Sequence, residues 1–117
     1  MSIHRIGVGP RMSAAVVHGH TIYLAGQVAD KAAGQSVGEQ TQEILATIDG
    51  LLAEVGSDKS HLLSTTIYLA DISTFAEMNA VWETWVAKGH TPARATVEAK
   101  LAAPKYTVEI VCIAAKP

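Results

Sequence analysis

The sequence predicts an α+β domain, a mixed β-sheet with two helices packed on one face, in the order β-β-α-β-α-β-β. Three observations predict it. Two segments carry apolar residues at helical spacing, and each is followed by a run with the two-residue alternation of a strand. The final run, "YTVEIVCIAA", alternates Tyr106, Val108, Ile110 and Cys112 with Thr107, Glu109, Val111 and Ile113, so both of its faces carry apolar residues and both need cover. Charged residues make up 17% of the 117 residues and apolar ones 49%, against about 25% charged in a typical soluble domain. Two helices on one face leave the other bare, and the thin polar coat implies that copies of the same chain cover it.

In chain order, "SAAVVHGHTIYLAGQVA" (Ser13 to Ala29) reads as two strands around a tight turn at Gly19. "SVGEQTQEILATIDGLLAEVG" opens with Ser36 and Glu39 at capping-box spacing, and Ile44, Leu45, Ile48, Leu51, Leu52 and Val55 then form an apolar stripe that Gly56 ends. This is an amphipathic helix. "HLLSTTIYLADI" is a strand, predicted to be central, with Leu63, Ile67 and Leu69 on one face. "STFAEMNAVWETWVAKG" is a second helix with Ser73 as N-cap, Phe75, Met78, Trp82 and Trp85 on the core stripe, and Gly89 beyond its end. "ARATVEAKL" and "YTVEIVCIAA" are two last strands, expected to pair as an antiparallel hairpin through "AAPK", where Pro104 favours a turn. Length and the lack of any linker or repeat point to one domain over residues 1–117.

Several functions lose support on composition alone. The net charge is −2 and the nine Lys and Arg are scattered singly, so no basic stripe exists for a phosphate backbone and no nucleic acid partner is expected. No apolar run approaches the ~18 residues of a membrane span, and the N-terminal residues do not resemble a signal peptide, so a cytoplasmic location with no membrane partner is expected. The single cysteine, Cys112, lies in an apolar strand and reads as buried structure. His18 and His20 flank a turn glycine without a third ligand, and no metal is expected. Motifs of serine hydrolases, zinc proteases and phosphate-binding loops are missing.

Two charged residues remain as candidates for chemistry. Alternation puts Ala95, Val97, Ala99 and Leu101 on one face of the fourth predicted strand and Arg94, Thr96, Glu98 and Lys100 on the other. With the small apolar set facing the helices, and if Val108 and Ile110 also face them, Glu109 shares the face that holds Arg94. Guanidinium presents a planar fork that matches a carboxylate, and a carboxylate in an enclosed site can position a water molecule. A structural ion pair, two solvated charges and a small-anion pocket all satisfy the spacing, within one subunit or across an interface.

The residues "AGQVA", "FAEMNAVWETW", "TPARATVEAKL" and "YTVEIVCIAA" together resemble the RidA/YjgF family of enamine and imine deaminases over nearly the whole chain. The resemblance implies a chorismate-mutase-like fold and a homotrimer whose sheets form a central barrel with clefts between subunits. It also implies cofactor-free hydrolysis of short 2-imino acids and their 2-amino-enoate tautomers to 2-oxo acids and ammonia. Carried over by the resemblance, Arg94 is the carboxylate-binding arginine, Glu109 the water-positioning glutamate, and Gly26 and Thr96 contribute backbone contacts to the substrate. The family pattern has a tyrosine after "GP" and a serine before "GQ"; here Arg11 and Met12 stand near the first position, which makes Met12 a candidate substrate contact, and Ala25 stands at the second. Two hydroxyls are lost. The alternative function is a non-catalytic module that binds small carboxylates or a protein partner in the same clefts. Ribonuclease activity, also claimed for relatives, is disfavoured by the charge balance.

Overall fold

The computed structural model describes residues 1–117. Six strands form one sheet: β1 (Ile3–Ile6), β2 (Ala15–His18), β3 (Thr21–Leu24), β4 (Leu62–Leu69), β5 (Ala93–Glu98) and β6 (Val108–Ala115). Two helices, α1 (Val37–Glu54) and α2 (Phe75–Trp85), complete the two-layer domain. The observed order is therefore β-β-β-α-β-α-β-β, with one strand more than predicted. β1, "IHRI", is short and largely exposed, so it lacks the alternation that marks a half-buried strand; it exists because its backbone pairs with β2.

The spatial order is β1-β2-β3-β6-β4-β5. The expected hairpin between the last two strands does not form. Instead α2 carries the chain back to the same end of the sheet, so β5 pairs with β4 in parallel, from Ser64 opposite Ala93 to Leu69 opposite Glu98. The segment after β5 then returns so that β6 pairs antiparallel with both β3 and β4. A strand apolar on both faces thus takes an interior place, and β5 is left at the edge.

Local chemistry explains the boundaries. Gly19, at φ +62°, occupies the first position of the two-residue turn between β2 and β3, where an L side chain is strained. At the start of α1, Ser36 Oγ accepts the Glu39 N–H at 3.2 Å, and the helix ends before Gly56, whose φ of +78° lets the Ser57 N–H donate back to the Leu52 carbonyl at 2.9 Å. Ser73 is not the cap of α2. A 3-10 turn over Ile72–Thr74 precedes the helix, and Asp71 caps that turn by accepting the Ser73 N–H at 2.9 Å, while Ser73 Oγ donates to the same carboxylate.

The core lies between the helices and one sheet face. Ile44, Leu45, Ile48 and Leu52 of α1 and Met78 and Trp82 of α2 pack on Ile22, Ile67, Leu69, Val108, Ile110, Cys112 and Ala114. Leu63 was expected in this set but is 51% exposed, because the β4–β6 register shifts between Leu62 and Ser64 and turns Leu62 inward in its place. Cys112 is buried as expected, its thiol pushed up from the usual range by burial, with Thr65 Oγ1 at 3.4 Å.

The opposite sheet face is uncovered. It presents Tyr23, Thr66, Tyr68, Val97, Val111 and Ile113, and the molecule is a slab of 42 × 37 × 21 Å. Neither helix is long and apolar enough to cross a membrane.

Candidate functional site

Arg94 and Glu109 lie on opposite faces of the sheet within one chain. Arg94 stands opposite Thr65, which is buried under the helices, whereas Glu109 stands opposite Tyr68 on the uncovered face. The expectation that they share a face is corrected by this register. Alternation was right about which residues of β5 go together, but the small apolar set, with Val97 42% exposed, faces away from the helices, and the polar set faces them.

On the helix side, Arg94 is half-buried and held by α2. Its Nη1 donates to Asn79 Oδ1 at 2.8 Å, and its guanidinium carbon lies 5.8 Å from the Phe75 ring centre and 5.5 Å from that of Trp82. No carboxylate of the chain comes within 4.0 Å of it, since the chain's one ion pair joins His61 to Asp58. The intrachain salt bridge that the spacing allowed is therefore not formed. Phe75, expected in the core, is 38% exposed beside this arginine, and Trp82 serves both the core and the guanidinium.

Thr96 follows two residues along the same edge strand. The Ala99 N–H donates to the Leu69 carbonyl at 3.0 Å, so by two-residue alternation the N–H groups of Val97 and Ala95 also point toward β4, and those of Arg94, Thr96 and Glu98 point to the open edge. Its side-chain hydroxyl is buried without a hydrogen-bond partner. An unpartnered buried hydroxyl costs stability.

On the other face, Glu109 lies over Gly26. A Cβ built on Gly26 would overlap the Glu109 carboxylate and come within 3.3 Å of Val111 Cγ2, so only glycine leaves that carboxylate its place. Gln27 holds the segment there: its backbone exchanges two hydrogen bonds with Ile110, at 2.9 and 3.0 Å, and its Nε2 donates to the Ala25 carbonyl. The Ala25 N–H in turn donates to the Ala14 carbonyl, which brings the β1–β2 loop to the same end of the sheet. Met12 sits in that loop and is 67% exposed.

The largest concavity of the single chain, about 510 Å³, lies elsewhere, among Ala70, Glu98, Lys100, Leu101, Pro104 and Tyr106. It contains neither Arg94 nor Glu109. No three His, Cys, Asp or Glu side chains converge on a possible metal position. Asn79 entered the sequence reading only as the asparagine of the "FAEMN" family mark, with no site role; the signal for one was the i, i+4, i+7 spacing of Phe75, Asn79 and Trp82, which puts a polar side chain between two rings on one helix face.

The two-layer fold, a six-stranded sheet with two helices, is shared with solved YjgF proteins. The crystal structure of NMB1025, a member of that family from Neisseria meningitidis, matches with a TM-score of 0.97 at 50% identity, covering 100% of this chain and 97% of the other. The family model described as Endoribonuclease L-PSP matches residues 3–116. A RutC family protein of Haemophilus influenzae is 47% identical over 97% of this chain and 98% of its own length, and RutC family protein YoaB of Escherichia coli is 46% identical over 98% and 99%. A more distant relative, from Rattus norvegicus, is 33% identical over 87% of this chain and 77% of its own length and carries the name 2-iminobutanoate/2-iminopropanoate deaminase. The chain belongs to the RidA/YjgF family.

Proposed function

We propose that this protein hydrolyses short 2-imino acids and their 2-amino-enoate tautomers to 2-oxo acids and ammonia, without a cofactor, in clefts between the subunits of a homotrimer. The observation that carries the reading is Arg94: a half-buried guanidinium with no carboxylate partner in its own chain is an anchor for an external one. The name of the rat relative supports the substrate class.

In this reading the substrate carboxylate sits against Arg94, with the Thr96 N–H at the open edge as a further donor. Glu109 takes a proton from water as the oxygen attacks the imine carbon, and the C=N π electrons move to nitrogen, which is protonated. The resulting carbinolamine collapses: Glu109 carries the hydroxyl proton to the amino nitrogen, the C=O bond forms as the C–N bond breaks, and ammonia leaves a 2-oxo acid behind. Water is the only co-reactant.

Because Arg94 and Glu109 lie on opposite faces of one chain, a cleft that contains both is completed by a neighbouring subunit. The bare face bearing Val111, Ile113 and Val97 supplies the apolar surface for that contact, which also accounts for apolar residues on the side of β5 that no helix covers. With a net charge of −2 and no basic stripe, the protein acts on small molecules rather than nucleic acid, and in this reading that activity is in the cytoplasm.

The test generates 2-aminoacrylate or 2-aminocrotonate in situ and follows 2-oxo acid formation with and without the protein. Acceleration is expected. A chain that binds 2-oxo acids yet gives no acceleration is a carboxylate-binding module instead. Sedimentation equilibrium at micromolar concentration is expected to give three times the 12.3 kDa chain mass, and a stable monomer overturns the shared cleft.

A further inference from the structure

An anion-binding arginine faces two opposed demands. It must be held in one orientation, because a free side chain loses rotamer entropy on binding; yet whatever holds it must not neutralise it. A carboxylate would meet the first demand and fail the second.

Resting on the reading of Arg94 as a carboxylate anchor, we propose that Asn79, with the rings of Phe75 and Trp82, forms a neutral cradle on α2 that orients the guanidinium while leaving its charge free for the ligand. Asn79 is thus a positioning residue for ligand binding. Its amide oxygen takes one N–H, from Nη1, out of the five that guanidinium offers. The Nε–Nη2 edge keeps a two-pronged fork for a carboxylate. The two rings, at 5.8 and 5.5 Å, lie against the guanidinium carbon and shield it from water without adding formal negative charge.

The acidic residues of α2 are used elsewhere or turned away. Glu77 accepts the Gly38 N–H at 2.7 Å at the start of α1, and Glu83 is exposed and makes no ion pair. The residue that touches Arg94 is the uncharged one. An aspartate at position 79 would be nearly the same size and could reach the same Nη1, so the difference between amide and carboxylate isolates charge from shape.

The inference predicts that stability and affinity move in opposite directions on Asn79→Asp. The new ion pair keeps or raises the melting temperature, while affinity for 2-oxobutanoate falls by more than about 10-fold because the anchor is already compensated. Asn79→Ala frees the side chain and weakens binding about 3- to 10-fold. Phe75→Leu, at a partly exposed position, removes one ring face and weakens binding roughly 2- to 4-fold.

Calorimetric titration with 2-oxobutanoate, paired with thermal melts, reads all of these against wild type and Arg94→Ala. Failure of the wild type to bind, or an Arg94→Ala variant that binds like wild type, overturns the anchor reading and the cradle with it. Loss of binding in Arg94→Ala with wild-type affinity in Asn79→Ala, Asn79→Asp and Phe75→Leu overturns the cradle alone. A parallel fall of melting temperature and affinity in Asn79→Asp also overturns it, since that is the signature of simple structural damage. Should Asn79→Asp fail to fold, the Asn79→Ala and Phe75→Leu titrations decide by the same criterion.

Discussion

The Glu109 carboxylate rests over the Gly26 backbone so closely that a single added methyl at position 26 displaces it. The overlapping atoms belong to the far end of a flexible side chain, so Gly26→Ala is expected to fold with little change in melting temperature while moving the Glu109 carboxylate from its observed position. A shift of this kind is expected to lower the deaminase rate by roughly 10- to 100-fold. Steady-state assay beside a thermal melt reads both quantities. Full activity in Gly26→Ala means that the observed carboxylate position is not the working one.

Glu109→Gln keeps the shape and removes the proton acceptor, so turnover is expected to fall by about 10²–10⁴. Because Arg94 lies on the other sheet face, the two residues of one cleft come from different subunits in the proposed assembly. Arg94→Ala and Glu109→Gln variants, each nearly inactive, should then complement when unfolded together and refolded as mixed trimers. Random mixing restores about a quarter of the clefts. No recovery, with mixed trimers verified by mass, means that both residues act within one subunit.

Thr96 is expected to act through its backbone, which faces the open edge, while its hydroxyl is buried and unpartnered. Thr96→Val keeps the shape and removes the orphan hydroxyl, so stability should rise by about 1 kcal/mol with activity unchanged. Denaturant melts and the deaminase assay measure the two. A large loss of activity without loss of stability would make the hydroxyl a participant in the chemistry.

Acid sensitivity is expected from exposed carboxylates that brace turns. Glu43 is held below its usual value of 4.5 first by the Asp30 N–H and then by the Ala32 N–H, and Asp71 below 3.8 by the Ser73 hydroxyl and N–H. A folded-state value below the unfolded one gives stability that is present above the unfolded value and lost as pH falls through the folded one. The melting-temperature difference between wild type and Glu43→Ala should therefore be full above about pH 5.5 and shrink as pH drops below Glu43's ordinary 4.5. A difference that stays constant down to acid pH assigns the effect to shape rather than charge.

The sequence by itself determined the local elements and the family. Ser36 with Glu39, the stripe from Ile44 to Leu52, Gly56, and the alternation of Val108 to Ile113 each act within a few residues, so helix, cap and strand are legible without knowing what packs on them. The strand β1 was not legible, because four mostly exposed residues owe their conformation to pairing with β2 rather than to their own pattern. Only the tertiary structure decided the side of the sheet on which Arg94 stands. Alternation groups Arg94 with Thr96 and Ala95 with Val97, but it assigns neither group to a face; that depends on strand order and on which face the helices cover, and both are set by residues far apart in the chain. The apolar set of β5 pointed sequence reasoning toward the helices. In the folded chain it points away from them, because the parallel register with β4 puts Arg94 opposite buried Thr65 and so beneath Asn79 and Trp82.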